Sequence, residues 1–151
     1  MKTMLLFFYL SLFHQTSNGD HVINRRSVFD FKSMTEKITG RDAVDYVGYG
    51  NWCGLGGKGK PKDRLDVCCK VHDECYTLIM KTNVCSKFNL YSSQYKWKIR
   101  NKIVKCLPDI NPCPVALCKC DKQVVKCFAK NKYHRVNKNK DWIENLLKKL
   151  L

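Results

Sequence analysis

All ten cysteines of this 151-residue chain fall in one stretch, between Cys53 and Cys127. An even number so concentrated reads as a framework of five disulfides, which staples a domain whose core is modest. A zinc cluster is the alternative, but the two well-separated C-x-x-C pairs that such sites draw on are missing. So many pairings are open to ten cysteines that counting alone does not give the connectivity.

Disulfides need an oxidising compartment, and the N-terminus supplies a route to one. Met1 and Lys2 precede an apolar run from Met4 to Phe13, and Ser17 and Gly19 are small residues suited to cleavage. Residues 1–19 therefore read as a secretory signal peptide. The run is too short to cross about 30 Å of hydrocarbon as a helix, and no later segment approaches the roughly 20 apolar residues needed. Residues 20–26 end in Arg25-Arg26, a dibasic pair that suggests a propeptide; the plainer reading is an exposed basic pair in a disordered terminus. A mature chain from Ser27 would comprise one domain over 27–130 and a basic tail over 131–151.

The formal net charge is +15, and losing residues 1–26 removes three bases and one acid, leaving +13. Such a surface seeks anions. Secretion directs that expectation to anionic membranes or acidic glycans rather than nucleic acid, with each Lys or Arg near a charged bilayer contributing about 1 kcal/mol.

Val28, Phe29, Phe31, Met34 and Ile38 recur at helical spacing, and Gly40 is placed to end that helix. Tyr46 to Gly59 holds six glycines, too many for a helix or a strand interior, and Pro61 closes this shaped loop. Asp63 is a candidate N-cap for a helix to about Met80, along which Leu65, Cys68, Cys69, His72, Cys75, Tyr76 and Ile79 share a 3.6-residue period. Alternation in Tyr95 to Ile99, a turn at Arg100-Asn101-Lys102 and apolar Ile103-Val104 suggest a small hairpin. A second long helix is expected from about Val115 to Lys130. The tail after Asn131 reads as basic and mobile, and Trp142 to Leu151 as an amphipathic helix that either meets a membrane or packs on its own domain.

Only His72 and His134 remain in the mature chain. His72 lies on the cysteine-pinned helix, with Asp73 projecting from an adjacent part of the same surface. One helix can thus offer a base and a metal ligand. If Cys53 pairs with Cys68 or Cys69, the glycine loop is tied beside Asp73, and loop carbonyls plus one carboxylate suit a hard cation such as Ca²⁺.

The run Tyr49-Gly50-Asn51-Trp52-Cys53-Gly54-Leu55-Gly56-Gly57, followed by Asp66-Val67-Cys68-Cys69-Lys70-Val71-His72-Asp73-Glu74-Cys75-Tyr76, closely resembles the calcium loop and active-site helix of the secreted phospholipases A2 of pancreatic and venom type. The likeness continues through Cys118, Cys120, Asp121, Cys127 and Phe128. It implies a mainly α, disulfide-rich fold with two long antiparallel helices, an N-terminal helix, a glycine-rich calcium loop and a small β-hairpin.

The implied activity is hydrolysis of the sn-2 ester of glycerophospholipids at an interface, by a monomer bound peripherally to phospholipid. His72 would be the general base, Asp121 would orient its ring, and Tyr76 and Tyr95 would hydrogen-bond Asp121. One Ca²⁺ would be held by the Asp73 carboxylate and the carbonyls of Trp52, Gly54 and Gly56, with the Gly54 N–H as an oxyanion donor. The implied bridges are Cys53–Cys69, Cys68–Cys127, Cys75–Cys120, Cys85–Cys113 and Cys106–Cys118. Trp52 stands where the family usually has Tyr, Asn51 where many relatives carry a cysteine bonded near the C-terminus, and Ile99 near the place of a cysteine bonded to the N-terminal helix. Both ends are therefore expected to be less tethered. The competing readings are a catalytically silent toxin or receptor-binding module and a cationic membrane-disrupting protein on the same scaffold.

Overall fold

The computed structural model describes residues 27–139 and 141; the expected signal, propeptide and terminal amphipathic helix lie outside these residues. Helix α1 spans Ser27–Thr39 and buries Met34 and Ile38 from the apolar stripe. Gly40 ends it at φ +69°, donating its N–H to Glu36 O at 2.9 Å, a left-handed turn that costs glycine little. Helix α2, Arg64–Lys81, starts as expected at Asp63, whose carboxylate accepts the Asp66 N–H at 2.9 Å. A single helical turn, α3, covers Asn89–Ser92.

Strands β1 (Trp97–Arg100) and β2 (Ile103–Cys106) pair antiparallel, with Trp97 opposite Cys106 and Arg100 opposite Ile103. Asn101 and Lys102, at φ +49° and +59°, make the two-residue turn, so Arg100 belongs to the strand. Helix α4 spans Pro112–Lys130, starting three residues before the expected Val115. Asn111 caps it by accepting the Cys113 N–H at 3.0 Å. Pro112 then occupies the first turn, where its fixed φ fits and its missing N–H is not needed, so prolines that resemble a breaker mark a start.

Five disulfides close: Cys53–Cys69, Cys68–Cys127, Cys75–Cys120, Cys85–Cys113 and Cys106–Cys118. No cysteine is left free. Two of them join α2 to α4, and the seven residues from Cys68 to Cys75 match the seven from Cys120 to Cys127. Equal spacing run in opposite senses requires the helices to lie antiparallel in one register. Leu65, Leu117, Val124, Val125 and Phe128 fill the core around this pair. No helix among the described residues is long and apolar enough to cross a membrane.

The stretch after Asn131 departs from its expected mobility. Tyr133 packs on Tyr46 and Tyr49 and lies under the Arg41 guanidinium, while Asn137 Nδ2 donates to Asp63 at 2.7 Å. Backbone bonds run from Gly50 N to Asn137 O and from Asn139 N to Gly48 O. These partners are distant in sequence and leave no local period to read. Ile99, at the position noted for a missing cysteine, is half-buried against the core.

Replacing both Cys75 and Cys120 by alanine should lower unfolding free energy by about 2–5 kcal/mol. Urea unfolding of the oxidised protein reads it, and an unchanged midpoint would mean that packing alone sets the register.

Candidate active site

The α2–α4 register places His72 against Asp121 although 49 residues separate them. His72 Nε2 lies 2.7 Å from Asp121 Oδ1. Asp121 is 0% exposed, and a buried carboxylate is tolerated only when donors surround it. Tyr76 OH donates to Oδ1 at 2.7 Å, and Tyr95 OH to Oδ2 at 2.5 Å. Burial first, and the Asp121 charge second, push both phenols upward from their ordinary value, so they stay protonated as donors. Since Asp121 accepts, Nε2 carries the proton and Nδ1 is left as the acceptor.

The imidazole is also held by rings. Phe31 of α1 stacks on it at 5.1 Å between centroids, and Tyr76 lies against it at 4.3 Å. The Cys75–Cys120 bridge sits one residue from Tyr76 and one from Asp121. A covalent clamp thus adjoins the atoms whose spacing matters most.

The glycine loop is shaped by a residue that sequence reasoning passed over. Asp66, also 0% exposed, accepts the N–H groups of Asn51, Trp52 and Lys62, each at 2.8 Å. Gly50 lies so close, at φ +62°, that a Cβ there would stand 2.2 Å from the Asp66 carboxylate carbon. An acid at Asp66, in the first turn after the Asp63 cap, was the available signal, but no local pattern ties it to the loop.

Trp52, Gly54, Gly56, His72 and Asp73 line one cleft of about 470 Å³. Its other walls include Phe31, Tyr46, Met80, Leu90 and Phe128, which suit an acyl chain. Burial, with a smaller push from Glu74, raises Asp73 to about 6 against the lowering effect of His72. No described residue donates a hydrogen bond to its carboxylate.

Several loop carbonyls, those of Trp52, Gly54, Leu55, Gly56 and Gly57 among them, accept nothing from described residues, whereas Asn51 O accepts from Lys58 N and Cys53 O from Gly48 N. Carbonyls without donors that line the same cleft as a desolvated carboxylate fit a hard oxygen-seeking cation. Among the described residues no three His, Cys, Asp or Glu side chains cluster around a metal, so such a site rests on one carboxylate and the backbone.

A family model described as phospholipase A2 matches residues 28–138. The chain belongs to the phospholipase A2 family. It is 37% identical over 142 residues to a phospholipase A2 of Calliactis polypus, covering 87% of this chain and 86% of that one. A Bos taurus phospholipase A2 is 35% identical over 127 residues, covering 82% and 88%. The Homo sapiens group 10 secretory phospholipase A2 is 35% identical over 112 residues, covering 74% and 66%. The protein is accordingly a phospholipase A2 enzyme.

For this phospholipase, Asp66→Ala strands the N–H groups of Asn51, Trp52 and Lys62 and should cost about 3 kcal/mol or more in stability. Displacing the loop should also slow phospholipid hydrolysis by about 10²-fold. Urea unfolding and initial rates measure the two, and a folded variant with an unchanged rate would show that the loop keeps its shape without this carboxylate.

Proposed function

We propose that the protein is secreted and hydrolyses the sn-2 ester of membrane glycerophospholipids, using Ca²⁺ and a water activated by His72. The observation that carries this reading is the Nε2 contact to buried Asp121, which leaves Nδ1 as the proton acceptor on a residue of the cleft. His72 Nδ1 takes a proton from water, whose oxygen attacks the ester carbonyl carbon. Asp121, held by Tyr76 and Tyr95, stabilises the imidazolium that forms. The Gly54 N–H is a donor for the developing oxyanion. As the carbon–oxygen bond to glycerol breaks, the imidazolium returns its proton to the departing alkoxide, giving a fatty acid and a lysophospholipid. No acyl group is carried on the protein.

Asp73 and the carbonyls of Trp52, Gly54 and Gly56 would hold the cation. When bound, Ca²⁺ supplies Lewis-acid polarisation of the carbonyl and neutralises phosphate charge. Val28, Leu55 and Tyr91 are exposed and border the cleft, so an apolar rim surrounds its mouth. That rim supports peripheral docking of a monomer on a phospholipid surface, with the lysine-rich surroundings favouring anionic lipid. Secretion is supported by the disulfide framework, the N-terminal sequence and the relative named as secretory.

Fatty-acid release from phospholipid vesicles should fall to background in a calcium chelator and recover on adding Ca²⁺. His72→Gln should reduce release by about 10² to 10⁴-fold with the fold retained. Chelator-insensitive release would overturn the metal assignment, and full activity in His72→Gln would overturn the base.

A further inference from the structure

Three consecutive amides at the start of the glycine loop are held by residues distant in sequence. The N–H groups of Asn51 and Trp52 donate to Asp66 of α2, each at 2.8 Å. The N–H of Gly50, the residue before them, donates to Asn137 O at 2.8 Å. The carbonyls of Trp52, Gly54 and Gly56 follow directly. Six glycines between Gly48 and Gly59 leave that segment many other backbone shapes, so its order depends on what grips its start. Asp66 grips it from α2 and Asn137 from the C-terminal stretch.

The Asn137 side chain is bound at the root of the same loop. Its Nδ2 donates to Asp63 Oδ2 at 2.7 Å and reaches Tyr49 OH at 3.4 Å. Buried Tyr49 donates its phenol to the same Oδ2 at 2.5 Å and accepts the His134 N–H at 3.2 Å. Asp63 Oδ1 meanwhile caps α2 through the Asp66 N–H at 2.9 Å. One carboxylate thus joins the loop, the C-terminal stretch and the helix that carries His72 and Asp73, and hydrogen bonds to an ionised acceptor are the strong ones. Packing of the stretch is served by Tyr133 on Tyr46 and Tyr49. Asn137 adds two bonds of another kind, one from its backbone and one from its side chain, that meet the loop and its anchor. It does not line the cleft, so it can act on a bound cation only through the loop.

We propose that Asn137 is a positioning residue for the calcium loop, raising the fraction of calcium-free molecules whose loop carbonyls already have the arrangement that receives the cation. This rests on the calcium reading of the cleft given above. Apparent affinity falls in proportion to the fraction of molecules in the competent shape, so releasing Asn137 weakens Ca²⁺ binding without altering a ligand.

The test uses the mature chain without lipid. Asn137→Ala should raise the Kd for Ca²⁺, measured by calorimetry, by about tenfold, the size expected from losing a hydrogen bond to a carboxylate. Amide hydrogen exchange of the calcium-free variant should be faster over residues 48–54 and unchanged in the hairpin, and saturating Ca²⁺ should restore the parent pattern. A variant that melts at a lower temperature yet keeps the parent's calcium affinity, or its loop exchange, overturns the proposal and leaves Asn137 a packing residue of the C-terminal stretch. Asp73→Asn serves as the comparison for the metal itself. If it binds Ca²⁺ as the parent does, the calcium reading fails, and loop exchange in Asn137→Ala still decides whether Asn137 holds the loop.

Discussion

The antiparallel register of α2 and α4 is the constraint on which the site depends. Side chains on two helices meet only if both rotation and translation are fixed, and a slip of one residue moves a side chain by about 100° and 1.5 Å. Two bridges seven residues apart on each helix remove both freedoms. Register then delivers Asp121 to His72 and Tyr76 together. The same bridges reduce the unfolded chain's freedom, which matters in a domain of this size with a small apolar core.

Within that frame two buried aspartates do parallel work. Each would be costly in isolation, and each is surrounded by donors that exist only when a second element is in place. Asp121 requires Tyr76 from its partner helix and Tyr95 from the approach to the hairpin. Asp66 requires the N–H groups of Asn51 and Trp52 from the glycine loop, alongside that of Lys62 just before the helix. The desolvation cost makes partial arrangements unfavourable, so each carboxylate converts loose proximity into one geometry. Here the imidazole and the loop are preorganised by groups that do not themselves touch a substrate.

Much of this was legible because it is local or spelled by a long motif. The apolar period of α1, the Asp63 cap and the glycine density of the loop each follow from neighbours within a few residues. The start of α4 was misplaced because Pro112 and Pro114 act as breakers in most contexts and as helix initiators only when an N-cap such as Asn111 precedes them. The bonds of Asp66 to the loop and of Asn137 to Asp63 join residues whose relation exists only in the fold. Composition marked the stretch after Asn131 as a solvated tail because it is basic and polar, but a few aromatic and amide contacts were enough to hold it.

That docked stretch bears on the missing cysteine at position 51. Asn51 Nδ2 donates to Lys60 O at 2.7 Å, closing the loop on itself instead of tying it to the C-terminus. The C-terminal link is made one residue away, by Gly50 N to Asn137 O and by Asn137 Nδ2 to the carboxylate that caps α2. A disulfide persists when its surroundings loosen, whereas these bonds form only while the loop, the cap and the tail are all in place. The tether is therefore cooperative with the loop it restrains: opening one opens the other. If the loop takes the proposed cation, filling it would also favour the docked stretch 131–139, and the docked stretch would favour the filled loop, by the reciprocity that binds any two coupled sites.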